Sequence, residues 1–159
     1  MVSKSNSSRR CAIGAEDAAW TDPECPVARS VDLIGDRWSL LIVRDAMDGA
    51  RAFTDFQHRT GIARNILADR LRRLVDRGVL DRETAASGKR QVYSLTPAGR
   101  DLFTVVVALR QWGERHAFSP GEAHSVLVDE SGQAVPPLRA VGADGGEVGV
   151  ETTSVRKVR

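Results

Sequence analysis

Only two cysteines, Cys11 and Cys25, occur in 159 residues, too few for a disulfide scaffold or a four-cysteine zinc site. The three histidines, His58, His116 and His124, are scattered without ligand spacing and no acidic cluster joins them. No metal site is expected. A Cys-x-x-Cys pair, a nucleophile triad and a phosphate-cradling glycine loop are all missing, which argues against an enzyme and against a bound cofactor. No apolar run approaches the roughly 20 residues needed to cross a bilayer. The opening MVSKSNSSRR is polar with no segment of signal-peptide type behind it, so a cytoplasmic protein without membrane contact is expected. A large charge of one sign is lacking too. The formal net charge of +2 does not point to nucleic acid, and any basic patch has to be local.

What is present is a chain long enough for one main core plus a small extra element. Residues 1–22 are rich in Ser, small and charged residues and read as a flexible arm, with Trp20 its one anchor. In CPVARSVDLIG, Val27, Val31 and Ile34 recur at helical spacing with Pro26 at a first helical position, predicting a helix over 26–35. DRWSLLIVRDAM, from Asp36 to Met47, is too apolar for a surface helix and stops at Asp48-Gly49. In RAFTDFQHRTG, Thr54 is the expected N-cap of a short helix closed by Gly61. IARNILADRLRRLVDRG follows after barely a turn and ends at Gly78, so the pair reads as a helix-turn-helix.

Beyond Gly78 the period changes. VLDRET and RQVYSL are β-prone runs around AASGK, the pattern of a hairpin. Two helices followed by a hairpin make a winged helix-turn-helix: a mainly α protein with a small β wing. TPAGRDLFTVVVALRQWGERHA starts with Thr96 as N-cap and Pro97 behind it, and predicts a helix to about His116. Leu102, Val106 and Leu109 form one stripe, and Phe103, Val105, Val107 and Trp112 widen it until the middle is apolar nearly all round, so it needs cover on more than one side; a second subunit is the simplest cover, although the β-branched TVVV run also allows a strand. Residues 118–159 alternate Val-rich runs with turn residues and read as a C-terminal β-hairpin extension with a frayed end. The winged helix and dimerisation domain is therefore expected over 23–117.

Several motifs together carry a resemblance: the opening Cys25-Pro26, the Gly35 to Leu41 segment built around Trp38, and Arg51-x-Phe53-x-x-Phe56. To these are added Leu67-x-x-Arg70-Leu71, Gly78 followed by two aliphatic residues, and Tyr93-Ser94-Leu95-Thr96-Pro97. From about Cys25 to His116 the chain resembles the HxlR-type bacterial transcriptional regulators, relatives of the MarR-like winged helix proteins. The resemblance implies a homodimer joined by its terminal helices and bound to operator DNA as repressor or activator. Some members carry cysteines in a C-terminal extension. This extension has none, so a zinc-binding tail is not supported.

On a helical wheel Leu67, Leu71, Leu74 and Val75 share one face, with Asn65, Asp69, Arg72, Arg73 and Asp76 roughly opposite and Arg70 and Arg77 on a flank. In isolation such a helix reads as a solvated face with ion pairs such as Asp69 with Arg73 and Asp76 with Arg72. Helix-turn-helix geometry instead brings its N-terminal residues to base edges. Arg64 can fork onto guanine, Asn65 can pair with adenine, and Ile66 can touch a thymine methyl. Ala68, Asp69, Arg70 and Arg73 complete the expected recognition surface. Similar regulators usually have a hydroxyl residue where this chain has Ala63, and often a basic or polar one at Asn65, which bears on the operator sequence and not on the docking mode. Ser87, Gly88, Lys89 and Arg90 at the hairpin tip would hold phosphate or probe the minor groove, against the alternative of a plain charged turn. Arg51, Arg59 and Thr54 are weaker candidates for backbone contacts. Arg51 and Arg59 could equally be solvated partners of Asp48 or Asp55.

Cys25 stands at a helix start, where the dipole favours thiolate, and some members of the family sense through a cysteine at the matching position. The other reading is a small packing residue. Cys11 could resolve an oxidised Cys25 or be incidental. Val27, Val31, Phe103, Val106, Val107 and Trp112 are the expected dimer-interface residues. The leading expectation is a homodimeric, sequence-specific DNA-binding regulator, a repressor on a palindromic operator in double-stranded DNA, that a small electrophile, oxidant or other ligand releases. A winged helix used for protein docking, and a thiol-based redox protein, are the alternatives.

Overall fold

A computed structural model describes residues 19–158. The reading of residues 1–22 as a flexible arm, and of Cys11, lies outside the described residues up to position 18. From there Trp20 and Thr21 run beside the first helix: Thr21 donates its backbone N–H and its hydroxyl to Asp32 at 2.9 and 2.8 Å, and Arg29 lies 5.0 Å from the centre of the Trp20 ring. The chain divides into two compact units, one ending at Asp101 and one beginning at Leu102.

The first unit contains α1 (Pro26–Ile34), α2 (Arg37–Met47), α3 (Phe53–Thr60), α4 (Arg64–Asp76), β1 (Leu80–Thr84), β2 (Gln91–Leu95) and α5 (Pro97–Asp101). Its core is what the periodicity predicts: Ile42 and Val43 of α2, Phe56 of α3, and Leu67, Leu71 and Leu74 of α4 are fully buried. Each such side chain contributes about 1.5–3 kcal/mol relative to exposure. Asp36 caps α2 by accepting from the Trp38 and Ser39 N–H groups, both at 3.1 Å. Thr54 is not the cap of α3. The helix starts one residue before it, Ala52 occupies the cap position, and the Asp55 carboxylate takes the Arg51 and Ala52 N–H groups at 3.0 and 2.8 Å. An Ala has no side-chain acceptor for the free N–H groups of the first turn, and Asp55 supplies only the return half of a capping box, bonding back to the backbone just before the helix.

Gly61, in the left-handed region at φ 65°, closes α3, and only Gly61, Ile62 and Ala63 separate α3 from α4. Ile62 is buried, which pins this turn against the core. The strands pair antiparallel from Leu80↔Leu95 to Thr84↔Gln91. β2 also meets the start of α3: Ala52 bridges Val92, the Tyr93 N–H donates to the Arg51 carbonyl at 2.8 Å, and Tyr93 packs edge-on against Phe56 with ring centres 6.1 Å apart. Thr96 caps α5 through the Gly99 N–H at 3.0 Å and donates its hydroxyl to the Gly78 carbonyl at 2.6 Å, fastening α5 to the end of the α4 segment.

The second unit contains α6 (Phe103–His116) and the extension. The single helix expected from Pro97 to His116 is thus two, interrupted at Leu102. In the extension the expected hairpins are two tight turns, each closed by one bridge and without a strand ladder: Val128↔Ala134 and Val141↔Glu147. They are copies of one another. Asp129 N–H to Gln133 carbonyl recurs as Gly142 to Gly146, and Val135 N–H to Leu127 carbonyl recurs as Val148 to Ala140. Gly132 and Gly145 take matching left-handed angles, φ 80° and 79°. The connection between the turns is held to α6 by the buried Gln111, whose amide donates to the Pro136 carbonyl at 2.9 Å and accepts from the Leu138 N–H at 2.8 Å.

Candidate nucleic-acid interface

α4 turns its apolar side inward and leaves Arg64, Asn65, Ile66 and Ala68 exposed on its first turns. The arginines of this helix are not equivalent. Asp69 takes three of them: Arg70 Nη1 at 2.7 Å, Arg72 Nη2 at 2.5 Å and Arg73 Nε at 2.9 Å. Burial pushes the Asp69 carboxyl up, but Arg73, Arg72 and Arg70 outweigh it and hold the group below its ordinary pKa. The expected pair of Asp69 with Arg73 is present. Arg72 pairs with Asp69 in place of the expected Asp76.

Arg70 departs furthest from its expected place on the DNA-facing surface. Its side chain is only 23% exposed, and its Nε reaches Asp36 of α2 at 3.0 Å. At Asp36 burial again opposes ionisation, yet the Ser39 hydroxyl, the Ser39 N–H and Arg70 lower its pKa on balance. Arg77 donates to the Leu33 carbonyl and so ties the end of α4 to α1. Sequence reasoning missed Asp36 as the anchor of Arg70, because 34 residues separate the two; the one signal available was an aspartate directly before a helix, the position of a cap.

Arg64 has no hydrogen-bond or ion-pair partner among the described residues; its Cζ lies 5.0 Å from the centre of the Phe53 ring on α3. Asn65 and Ile66 follow it on the exposed surface. At the hairpin tip Ser87, Gly88, Lys89 and Arg90 are all exposed, with Gly88 at φ 70° and the tip closed by Gly88 N–H to Ala85 carbonyl at 2.7 Å. Arg51 and Thr54 are exposed at the start of α3. Arg59 is the partner of Asp48, at 3.1 Å.

Cys25 is the N-cap of α1, half-buried, and its Sγ accepts from the Ala28 N–H at 3.5 Å. On α1, Val27 is 71% and Val31 58% exposed. On α6, Phe103 and Trp112 are exposed and Val106 is half-buried. Val107 corrects the expected interface: at 3% exposure it is already covered within one chain and has no surface to offer a partner. Among the described residues no helix is long and apolar enough to cross a membrane, and no group of three or more His, Cys, Asp or Glu could hold a metal ion.

A short helix, a three-residue turn, a second helix with an exposed polar start and a two-stranded wing define a winged helix-turn-helix protein. The pattern of the HxlR-like helix-turn-helix family matches residues 33–119, and the chain belongs to that family. Rv3095 of Mycobacterium tuberculosis, named an uncharacterised HTH-type transcriptional regulator, is 45% identical over 95 residues, 59% of this chain and 60% of that protein. The chain therefore spans about three fifths of the length of that relative. Among solved structures, PA1607, a candidate transcription factor, is 51% identical with a TM-score of 0.82, over 85% of this chain and 96% of that one. The redox regulator HypR in its oxidised form is 32% identical with a TM-score of 0.54, over 58% of this chain and 97% of that one.

Proposed function

We propose that this protein is a sequence-specific DNA-binding transcriptional regulator that works as a homodimer and represses by occupying a palindromic operator. The observation that carries the reading is the exposed start of α4, where Arg64, beside Asn65 and Ile66, has no hydrogen-bond or ion-pair partner among the described residues. In a helix-turn-helix these are the positions that meet base edges in the major groove, and two symmetric copies about one helical turn apart read a palindrome. Lys89 and Arg90, exposed at the wing tip, hold phosphate. Arg73, Arg51 and Thr54 are secondary backbone contacts, and Arg70 acts from within by fixing α4 to α2.

Dimerisation is supported by the exposed Val27 and Val31 on α1 and by Phe103 and Trp112 on α6, apolar surface of a kind that usually has a partner. The effector arm of the proposal is an oxidant or electrophile acting at Cys25, whose sulfur sits at a helix N-terminus; the relative HypR is itself named a redox regulator. The test is an electrophoretic shift of the DNA upstream of its own gene, with random duplex as competitor and with oxidant added. Preference for the upstream fragment, lost on oxidation, supports the proposal. Equal binding to both duplexes removes sequence-specific regulation, and preference that survives oxidant and Cys25→Ser alike removes the effector arm.

A further inference from the structure

Arg64 sits where an arginine is poorly served by its own helix. It is the first residue of α4, the first turn holds no acid, and Ala63 at the cap position makes no side-chain cap. The positive end of the helix dipole disfavours a cation there. Arg70, Arg72 and Arg73 are fixed by Asp69 and Arg77 by the Leu33 carbonyl. Among the described residues Arg64 has only the Phe53 ring.

We infer that Phe53 is a specificity-determining positioning residue: its ring holds the Arg64 guanidinium ready for a guanine edge. The inference rests on the reading of α4 as a DNA reader and adds to it the residue that aims the reader. A guanidinium held against an aromatic face engages the ring through its π-surface, so the N–H groups in its own plane remain available. A carboxylate partner would consume those same N–H groups, as Asp69 does for Arg70, Arg72 and Arg73. Bidentate recognition of guanine needs two of them free and parallel. An aromatic neighbour therefore orders the side chain without occupying its fork.

Phe53 is itself held firmly. It is the first residue of α3 and half-buried. The residue before it, Ala52, bridges Val92 of the wing and gives its N–H to Asp55 at 2.8 Å. Three residues on, Phe56 is fully buried against Tyr93. The ring that aims Arg64 thus belongs to the segment joining α3 to the second strand of the wing, so base reader and wing share one rigid support.

The test is a double-mutant cycle on the full chain. The probes are a duplex recovered by wild-type protein from a random pool and the same duplex with its contacted guanine exchanged. Arg64→Ala should lower discrimination between them by about fivefold to a hundredfold, the worth of one bidentate pair. Phe53→Leu should lower it by about two- to fivefold, the worth of an exposed cation–π contact, and Phe53→Trp should keep or raise it. Binding to random duplex should not change in either. In the Arg64→Ala background the Phe53 substitutions should have no further effect on discrimination, which a merely structural role for Phe53 would not produce. Undiminished discrimination in Phe53→Leu, or an equal loss with and without Arg64, overturns the inference and leaves the DNA-reading role standing. Undiminished discrimination in Arg64→Ala overturns both. If Phe53→Leu does not fold, Phe53→Trp measured in both backgrounds decides by the same criterion: a change with Arg64 present and none without it.

Discussion

Asp36 joins two functions in one carboxylate, the cap of α2 and the anchor of α4, and two substitutions separate them. Asp36→Ala removes the acceptor for the Trp38 and Ser39 N–H groups, for the Ser39 hydroxyl and for Arg70 Nε. Loss of the cap costs about 1 kcal/mol. The Ser39 hydroxyl is buried, and leaving it without its acceptor costs about 1–2 kcal/mol more. The ion pair with Arg70 adds less than about 1 kcal/mol, because the Asp36 side chain is 39% exposed and solvent screens the pair. The total is about 2–4 kcal/mol, or a fall in Tm of about 6–12 °C for a chain of this length. Asp36→Asn keeps an oxygen for the cap and loses the charge, so it should cost about 1 kcal/mol and about 3 °C. Circular dichroism on heating reads both. A pH series adds a second check. Because the folded-state pKa of Asp36 is lowered, the stability its charge contributes is full above the unfolded value of about 3.9 and is lost as pH falls through the folded one. The gap between wild type and Asp36→Asn should therefore close on acidification through that window. Equal melting of the Ala and Asn variants, or a gap that persists in acid, would refute the reasoning.

The remaining predictions concern the wing, a glycine and the dimer. Lys89→Ala with Arg90→Ala should weaken binding to all duplexes alike and flatten the salt dependence by about two units of log–log slope; an unchanged slope in titrations would take the wing off the DNA backbone. Gly99→Ala places a Cβ 2.2 Å from the Val79 carbonyl oxygen, backbone that cannot step aside, and should cost about 3 kcal/mol in urea unfolding; wild-type stability would show that α5 does not pack against Val79. Val31→Glu and Trp112→Glu should each shift the protein from dimer to monomer in sedimentation. A dimer that survives both contradicts the proposed use of these faces.

The helix boundaries and the core were largely legible because burial imposes a period on the sequence. Leu67, Leu71 and Leu74 recur at helical spacing and are fully buried, and Gly61, Gly78 and Gly88 stand where the chain needs positive φ. What the sequence did not disclose were contacts without a period. Asp36 and Arg70 meet across 34 positions. Local rules assign the cap of α3 to Thr54, yet the helix begins one residue earlier, where Ala52 bridges Val92 and gives its N–H to Asp55. The break at Leu102 falls inside a run whose apolar pattern looks continuous. The repeated turns of the extension carry the sequence pattern of hairpins, yet their likeness lies in backbone hydrogen bonds. Between Val128–Val135 and Val141–Val148 only the two terminal valines and one glycine, Gly132 matching Gly145, are shared.

The pairing around Asp69 also bears on how affinity and specificity divide. α4 carries four arginines and two aspartates, and a helix so charged suggests broad attraction to phosphate. Asp69 removes much of that by committing Arg70, Arg72 and Arg73 to itself. An arginine already paired must exchange a carboxylate for a phosphate, so it gains less on any DNA than a free one. On the proposed reading, attraction common to all sequences would fall mainly to the wing tip, while Arg64, held by a ring rather than an acid, would keep its donors for a base. Since non-specific binding is the phosphate term, a recognition helix that restrains its own arginines raises the ratio of operator to random binding without adding any contact to the operator. Asp69→Asn should accordingly tighten binding to random duplex more than to operator.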